Sequence, residues 1–164
     1  MKLFGLLVDK SVYSPAVGHI VQMENIGDSA FSTGAMGTAI GIMPESQDGS
    51  SNVYAPFDAE ILMVVRTKHA LMLKRNDGLE ALIHIGVDTV SLKGEGFNVL
   101  VEIGQKVKKG ERLVNFSKQL VQDHGLDATV IFVVTNTDSF DIKVTQELQA
   151  QLGDEIMYAR KKKE

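Results

Sequence analysis

The chain contains no cysteine, which excludes disulfides, thiolate metal sites and a cysteine nucleophile. Covalent chemistry must therefore fall to histidine, carboxylate or hydroxyl side chains. Positive charge is also short: 17 Lys and Arg face 21 Asp and Glu, a formal net charge of -4, so no basic field draws in a nucleic acid. The one basic run, Arg160 to Lys163, reads as a solvated end. Long apolar runs are missing as well. Met1 to Val8 carries one lysine and an apolar stretch shorter than a signal-peptide core and far shorter than a bilayer span. So short a segment gives little anchoring to a membrane surface, and the expectation is a cytoplasmic protein. What remains is ordinary for a folded domain: 164 residues, 44% hydrophobic and 23% charged, which fits one self-sufficient domain spanning 1–164 with its core at about 11–160.

Strand signals dominate. Glu60 to Val65, Ala70 to Lys74 and Thr129 to Val134 are short apolar runs rich in branched residues and bounded by turn formers. Fifteen glycines spread along the chain suit many tight turns. Helix is expected only in short pieces, at Gly96 to Gly104 and at Ser117 to His124. Ser14-Pro15-Ala16-Val17-Gly18-His19-Ile20-Val21 is echoed by Ala55-Pro56-Phe57-Asp58-Ala59-Glu60-Ile61-Leu62, so two similar β units are expected to stack. Ile103 to Val114 has the Gly-x-x-Val-x-x-Gly-x-x-Leu spacing of compact biotinyl and lipoyl-type β domains, read as a hairpin turning on Gly104 and Gly110. It lacks a Met-Lys-Met tip that would present a lysine to a swinging cofactor. Gly34 to Gly41 is glycine-rich but has no Gly-Lys-Ser/Thr ending, so it does not read as a phosphate cradle.

Of four histidines, His19 and His124 read as turn residues beside Gly18 and Gly125 and are assigned no function. His69 and His84 lie in apolar strand patterns, Thr67-Lys68-His69-Ala70-Leu71 and Ala81-Leu82-Ile83-His84-Ile85-Gly86. The turn signal Asn76-Asp77-Gly78 lies between them. An antiparallel pair folded there would set residue 69 roughly opposite residue 85 or 86 and bring the two rings together. Two satisfied core histidines are the plainer reading of the same pattern.

The block Leu82-Ile83-His84-Ile85-Gly86-Val87-Asp88-Thr89-Val90, followed by Leu92-Lys93-Gly94-Glu95-Gly96-Phe97, together with Thr67-Lys68-His69-Ala70, resembles the enzyme IIA family of the bacterial phosphoenolpyruvate-dependent sugar phosphotransferase system, in its glucose-type branch. Ser14-Pro15, Phe31, Gly37 to Pro44, Ala55-Pro56 and Gly104 to Val107 fit the same pattern, so the likeness covers about residues 11 to 160. Two departures bear on partner choice: Val65, Leu82 and Ile85 stand where the family often has aromatics, and Ser32 to Met36 lacks a common lysine. The resemblance implies an all-β fold, an antiparallel β-sandwich or barrel-sandwich with internal duplication (a duplicated hybrid motif) and few short helices.

It further implies a phosphotransferase component that accepts a phosphoryl group from HPr on His84, as a tele-phosphohistidine, and passes it to a IIB domain for sugar uptake. His69 would stabilise the phosphoryl group, with Thr67 orienting its ring, and the Gly86 carbonyl would fix the His84 tautomer. Asp28 and Asp88 would meet basic residues on the donor, although both also read as ordinary turn carboxylates. Ala30, Phe31, Met36, Val65, Leu82, Ile85 and Val90 would form an apolar docking rim. No cofactor or metal is required, while adventitious or regulatory zinc on His69 and His84 is chemically compatible. Two rival readings are a regulatory module that binds other proteins according to its phosphorylation state and a zinc hydrolase. Against the hydrolase, the residue two past His84 is Gly86 rather than the second half of a His-x-His pair.

Overall fold

A computed structural model describes residues 8–163; the apolar run at 1–7 lies outside the described residues. The described residues form fourteen short strands: β1 (Ser11–Tyr13), β2 (Gly18–Gln22), β3 (Thr38–Pro44), β4 (Ser50–Tyr54), β5 (Ala59–Val64), β6 (Ala70–Arg75), β7 (Glu80–Ile85), β8 (Phe97–Val99), β9 (Lys106–Val107), β10 (Arg112–Ser117), β11 (Val130–Val134), β12 (Phe140–Val144), β13 (Gln149–Ala150) and β14 (Glu155–Lys161). Two short α-helices interrupt them, α1 (Ser29–Ser32) and α2 (Lys118–Asp123). Every strand pair is antiparallel.

The strands form one large sheet in the order β13-β2-β3-β11-β7-β6-β5-β9 and two small ones, β1-β14-β12 and β4-β10-β8. Read from its two edges inward, the large sheet repeats itself. β1, β2 and β3 correspond to β4, β5 and β6, while β11 to β14 correspond to β7 to β10. The two proline motifs meet reciprocally: Tyr13 N donates to Pro56 O at 2.9 Å and Tyr54 N donates to Pro15 O at 2.8 Å. This is the expected pair of related β units.

Alternation along the strands decides what each face buries. On β7, Ala81, Ile83 and Ile85 are buried in a core shared by all three sheets, where they join Val12, Val53, Phe57, Leu73, Phe116 and Phe132. Leu82 and His84 point the other way. β11 is buried on both faces because a second, smaller cluster covers its outer side: Ile131 and Val133 pack with Ile26, Phe31, Ala39 and Val87. Phe31 comes from α1, whose start is capped by Asp28 accepting from Ala30 N at 2.9 Å.

The far end of the β6–β7 hairpin is clamped by Arg75. Its guanidinium holds Asp77 bidentately, with both bonds at 2.8 Å, donates to Ala159 O at 2.7 Å, and lies over the Phe57 and Phe140 rings. The turn at Asn76-Asp77-Gly78 is thereby held rigid, and with it the register that aligns the histidine end.

Three sequence expectations need correction. Gly96 to Gly104 is not helical: Gly96 and Gly104 take φ of +86° and +88°, and the residues between form β8 and a turn. Gly104 and Gly110 do turn the chain, but β9 pairs with β5 while β10 pairs with β4 and β8. The segment therefore crosses between sheets instead of closing a hairpin. His19 lies within β2, exposed, rather than in a turn. The second expected helix is present as α2, with the Ser117 side chain accepting from Leu120 N and His124 at its C-terminal end. Glycine-rich Gly34 to Gly41 turns the chain after α1 and runs into β3.

Candidate active site

The hairpin register sets Ala70 opposite His84, and Ile85 N donates to His69 O at 2.7 Å. Residue 69 therefore lies against residue 85, as the turn spacing predicts. The two imidazoles meet edge to face, with centroids 4.9 Å apart and planes at 81°. Lys68, just before His69, takes a left-handed φ of 65°; with Lys68 N donating to Val65 O at 2.9 Å, this makes the tight turn that delivers His69 to the strand end.

The ring nitrogens are held differently. His84 Nδ1 lies 2.7 Å from Gly86 O. A carbonyl can only accept, so Nδ1 carries the proton and Nε2 presents its lone pair. His69 Nδ1 lies 2.8 Å from Thr67 Oγ1, and a hydroxyl can donate or accept, so that contact orients the ring without fixing its tautomer.

Gly86 takes φ +79°, and a Cβ there would come within 2.5 Å of Thr89 Cγ2 and 2.8 Å of Asp127 O. Gly86→Ala should therefore destabilise the fold by about 2 kcal/mol or more and turn the carbonyl away from His84. Chemical denaturation, together with the His84 ring NMR signals, checks both effects.

Burial pushes the His84 pKa below its ordinary value, against the opposing pull of the Gly86 hydrogen bond and of the Asp28 and Asp88 carboxylates. His69 is pushed down by burial and by repulsion from His84. Both rings are therefore neutral at pH 7. The unfolded chain binds protons more readily at both positions, so stability is full above the ordinary imidazole pKa of about 6.5 and is lost as pH falls through the lower folded values. Melting temperatures measured downward from neutral pH should fall, and His84→Gln should flatten that fall.

The remaining predicted residues divide. Phe31 touches the site directly, its ring 5.2 Å from that of His84, but it is only 4% exposed. It is a packing floor rather than a rim. Ile85 is a correction: it is fully buried in the main core, because adjacent strand residues point to opposite faces and His84 takes the outward one. Leu82 lies on the His84 face in the outer cluster, half-buried. Val65 is half-buried in the turn leading to His69, while Ala30, Met36 and Val90 are exposed around α1, its following turn and the 3-10 turn at Thr89–Leu92. Asp88 precedes that turn with φ 61°. Sequence reasoning passed over Asp127 and Thr129, whose backbone carbonyls accept from Val87 N at 2.9 Å and Gly86 N at 2.8 Å; the Asp-x-Thr pattern before β11 was the available signal.

The family model of the phosphoenolpyruvate-dependent sugar phosphotransferase system, EIIA 1, matches residues 10–140. The chain belongs to this family. The fold is also similar to that of glucose permease IIA from Mycoplasma capricolum, with a TM-score of 0.78 and 28% identity over 90% of this chain and 93% of that one. The EIIA chain is thus a phosphocarrier component of sugar uptake, of the glucose type.

The hydrolase reading is not favoured by these likenesses. Among the described residues, no group of three or more His, Asp or Glu is arranged to hold a metal ion, whereas a catalytic zinc takes three protein ligands and a water. No helix of the described residues is long and apolar enough to cross a membrane.

Proposed function

We propose that His84 of this EIIA chain is the phosphoacceptor, taking the group from phosphorylated HPr and passing it to a IIB domain. The observation that carries the reading is the 2.7 Å contact of His84 Nδ1 with Gly86 O, which leaves Nε2 as the nucleophilic nitrogen. As Nε2 attacks phosphorus, the donor's P–N bond breaks and its electron pair returns to the donor imidazole. Positive charge grows on the His84 ring, and the Nδ1–H bond to the Gly86 carbonyl strengthens as it does so.

His69 supports the transferred group. With the Thr67 hydroxyl donating to Nδ1, its Nε2–H can donate to a phosphoryl oxygen carried on the neighbouring His84 ring, whose centroid is 4.9 Å away. In-line placement and charge stabilisation suffice for such a transfer, so the chemistry asks no metal of the chain. Zinc on His69 and His84 would need its remaining ligands from elsewhere. Asp28 and Asp88 give the site an acidic margin suited to a basic donor surface, and Ala30, Met36, Val65, Leu82 and Val90 supply apolar surface for brief docking. A carrier that exchanges phosphate with HPr works in the cytoplasm.

The test is incubation with phosphoenolpyruvate, enzyme I and HPr, then mapping of the modified residue. Acid-labile phosphate on His84 Nε2 is expected; a chain that stays unlabelled, or carries label elsewhere, overturns the reading.

A further inference from the structure

We infer that Asp127 is a positioning residue for His84, acting through the Gly86–Val87 peptide. The inference rests on His84 being the phosphoacceptor, but the geometry behind it is independent. A trans peptide is planar, with its C=O and N–H pointing in opposite directions. In the Gly86–Val87 peptide the carbonyl accepts from His84 Nδ1 at 2.7 Å, and the Val87 N–H donates to Asp127 O at 2.9 Å. One rigid plane therefore spans from the imidazole to Asp127. Fixing the N–H end aims the carbonyl end, and the hydrogen bonds polarise each other in series.

Asp127 is itself anchored. Its Oδ1 accepts from Thr129 N at 2.9 Å and from the Thr129 hydroxyl at 2.7 Å, an Asx turn closed by a residue only 3% exposed. Thr129 in turn accepts from Gly86 N through its own carbonyl at 2.8 Å. From the other side, Thr89 Oγ1 donates to Ile85 O at 2.5 Å. The segment from Ile85 to Val87 is thus gripped at successive peptides, and the Asp127 side chain shapes the loop that does most of the gripping.

Its job in phosphoryl transfer is to keep the proton on His84 Nδ1 and off Nε2. A glycine at position 86 needs such a grip more than other residues would, because its left-handed backbone has no side chain to hold it in place.

The experiment compares the wild type with Asp127→Ala, Asp127→Asn and Thr129→Val, all nitrogen-15 labelled in metal-free buffer. Two-bond proton–nitrogen correlations show which His84 nitrogen carries the proton, and single-turnover transfer from phosphorylated HPr gives the rate. Asp127→Ala should move proton density toward Nε2 and slow acceptance about tenfold. Asp127→Asn keeps the accepting oxygen and should stay within about twofold of wild type. Thr129→Val, which keeps the shape but loses the hydroxyl, should shift the tautomer in the same direction by less.

A folded Asp127→Ala protein with the wild-type tautomer and rate overturns the inference, whatever its melting temperature. So does an Asp127→Asn protein that behaves like the alanine variant, since charge and not the turn would then be responsible. If Asp127→Ala does not fold, an unchanged tautomer in Thr129→Val overturns it. Failure of the wild type to accept phosphate while the tautomers shift as expected would instead sink the phosphoacceptor reading alone.

Discussion

His84→Gln should reduce phosphate acceptance from HPr to the background of a chain with no acceptor. Glutamine has nearly the reach of imidazole, and the site should stay folded, because Leu82, Phe31 and Ile131 pack around position 84 whichever side chain occupies it. What disappears is the lone pair on Nε2. An amide nitrogen is not a nucleophile at neutral pH, and the neighbouring His69, whose ring meets position 84 edge to face and is held through Nδ1 by Thr67, is placed to support a transferred group rather than to replace the acceptor. Single-turnover labelling with phosphorylated HPr, with a melting curve to show that the fold is intact, decides the matter. Acid-labile phosphate on the folded variant would mean that another residue is the acceptor.

Much of this site was legible from local sequence because a hairpin is a local object. Asn76-Asp77-Gly78 specifies the turn, period-two alternation specifies the faces, and together they set residue 69 against residue 85. The same alternation explains why Ile85 could not share a docking rim with its neighbour His84: consecutive strand residues face opposite ways. The Pro motifs at Ser14-Pro15 and Ala55-Pro56 announced a duplication, and they prove to be the points where the two units exchange backbone hydrogen bonds.

The features that were not legible depend on partners distant in the chain. Gly104 to Gly110 has the turns of a hairpin, but whether β9 pairs with β10 or crosses to β5 depends on a strand far earlier in the chain, where Ala59 pairs with Val107 and Glu60 with Lys106, and nothing local records that choice. Gly96 to Gly104 reads as a short helix only if its glycines are given right-handed φ, and the observed values are left-handed. Asp127 escaped notice for a related reason. Its Asx turn is a local pattern, but the peptide it meets, Gly86–Val87, lies far earlier in the chain, just past the end of β7.

His69→Gln should separate the two halves of the transfer cycle: acceptance from HPr is kept in part, while onward transfer to the IIB domain falls about a hundredfold. Acceptance needs a nucleophile, which on the proposed reading is His84 Nε2, with Nδ1 held by Gly86 O; glutamine at 69 still offers an N–H donor of similar length to a phosphoryl oxygen. Onward transfer makes a different demand. The phosphoryl group must leave His84 as negative charge spreads over its oxygens, and a neutral imidazole can respond by taking up a proton where an amide cannot. His69 is suited to this because Thr67 binds it through a hydroxyl that can reverse its role, so the ring can change protonation without losing its partner. The depressed pKa set by burial and by His84 would rise once a phosphoryl dianion replaces neutral His84 as the neighbour. Labelling followed by a chase with the cognate IIB domain resolves the steps. A variant that accepts poorly but discharges at the wild-type rate would show that His69 works in the first half of the cycle and not the second.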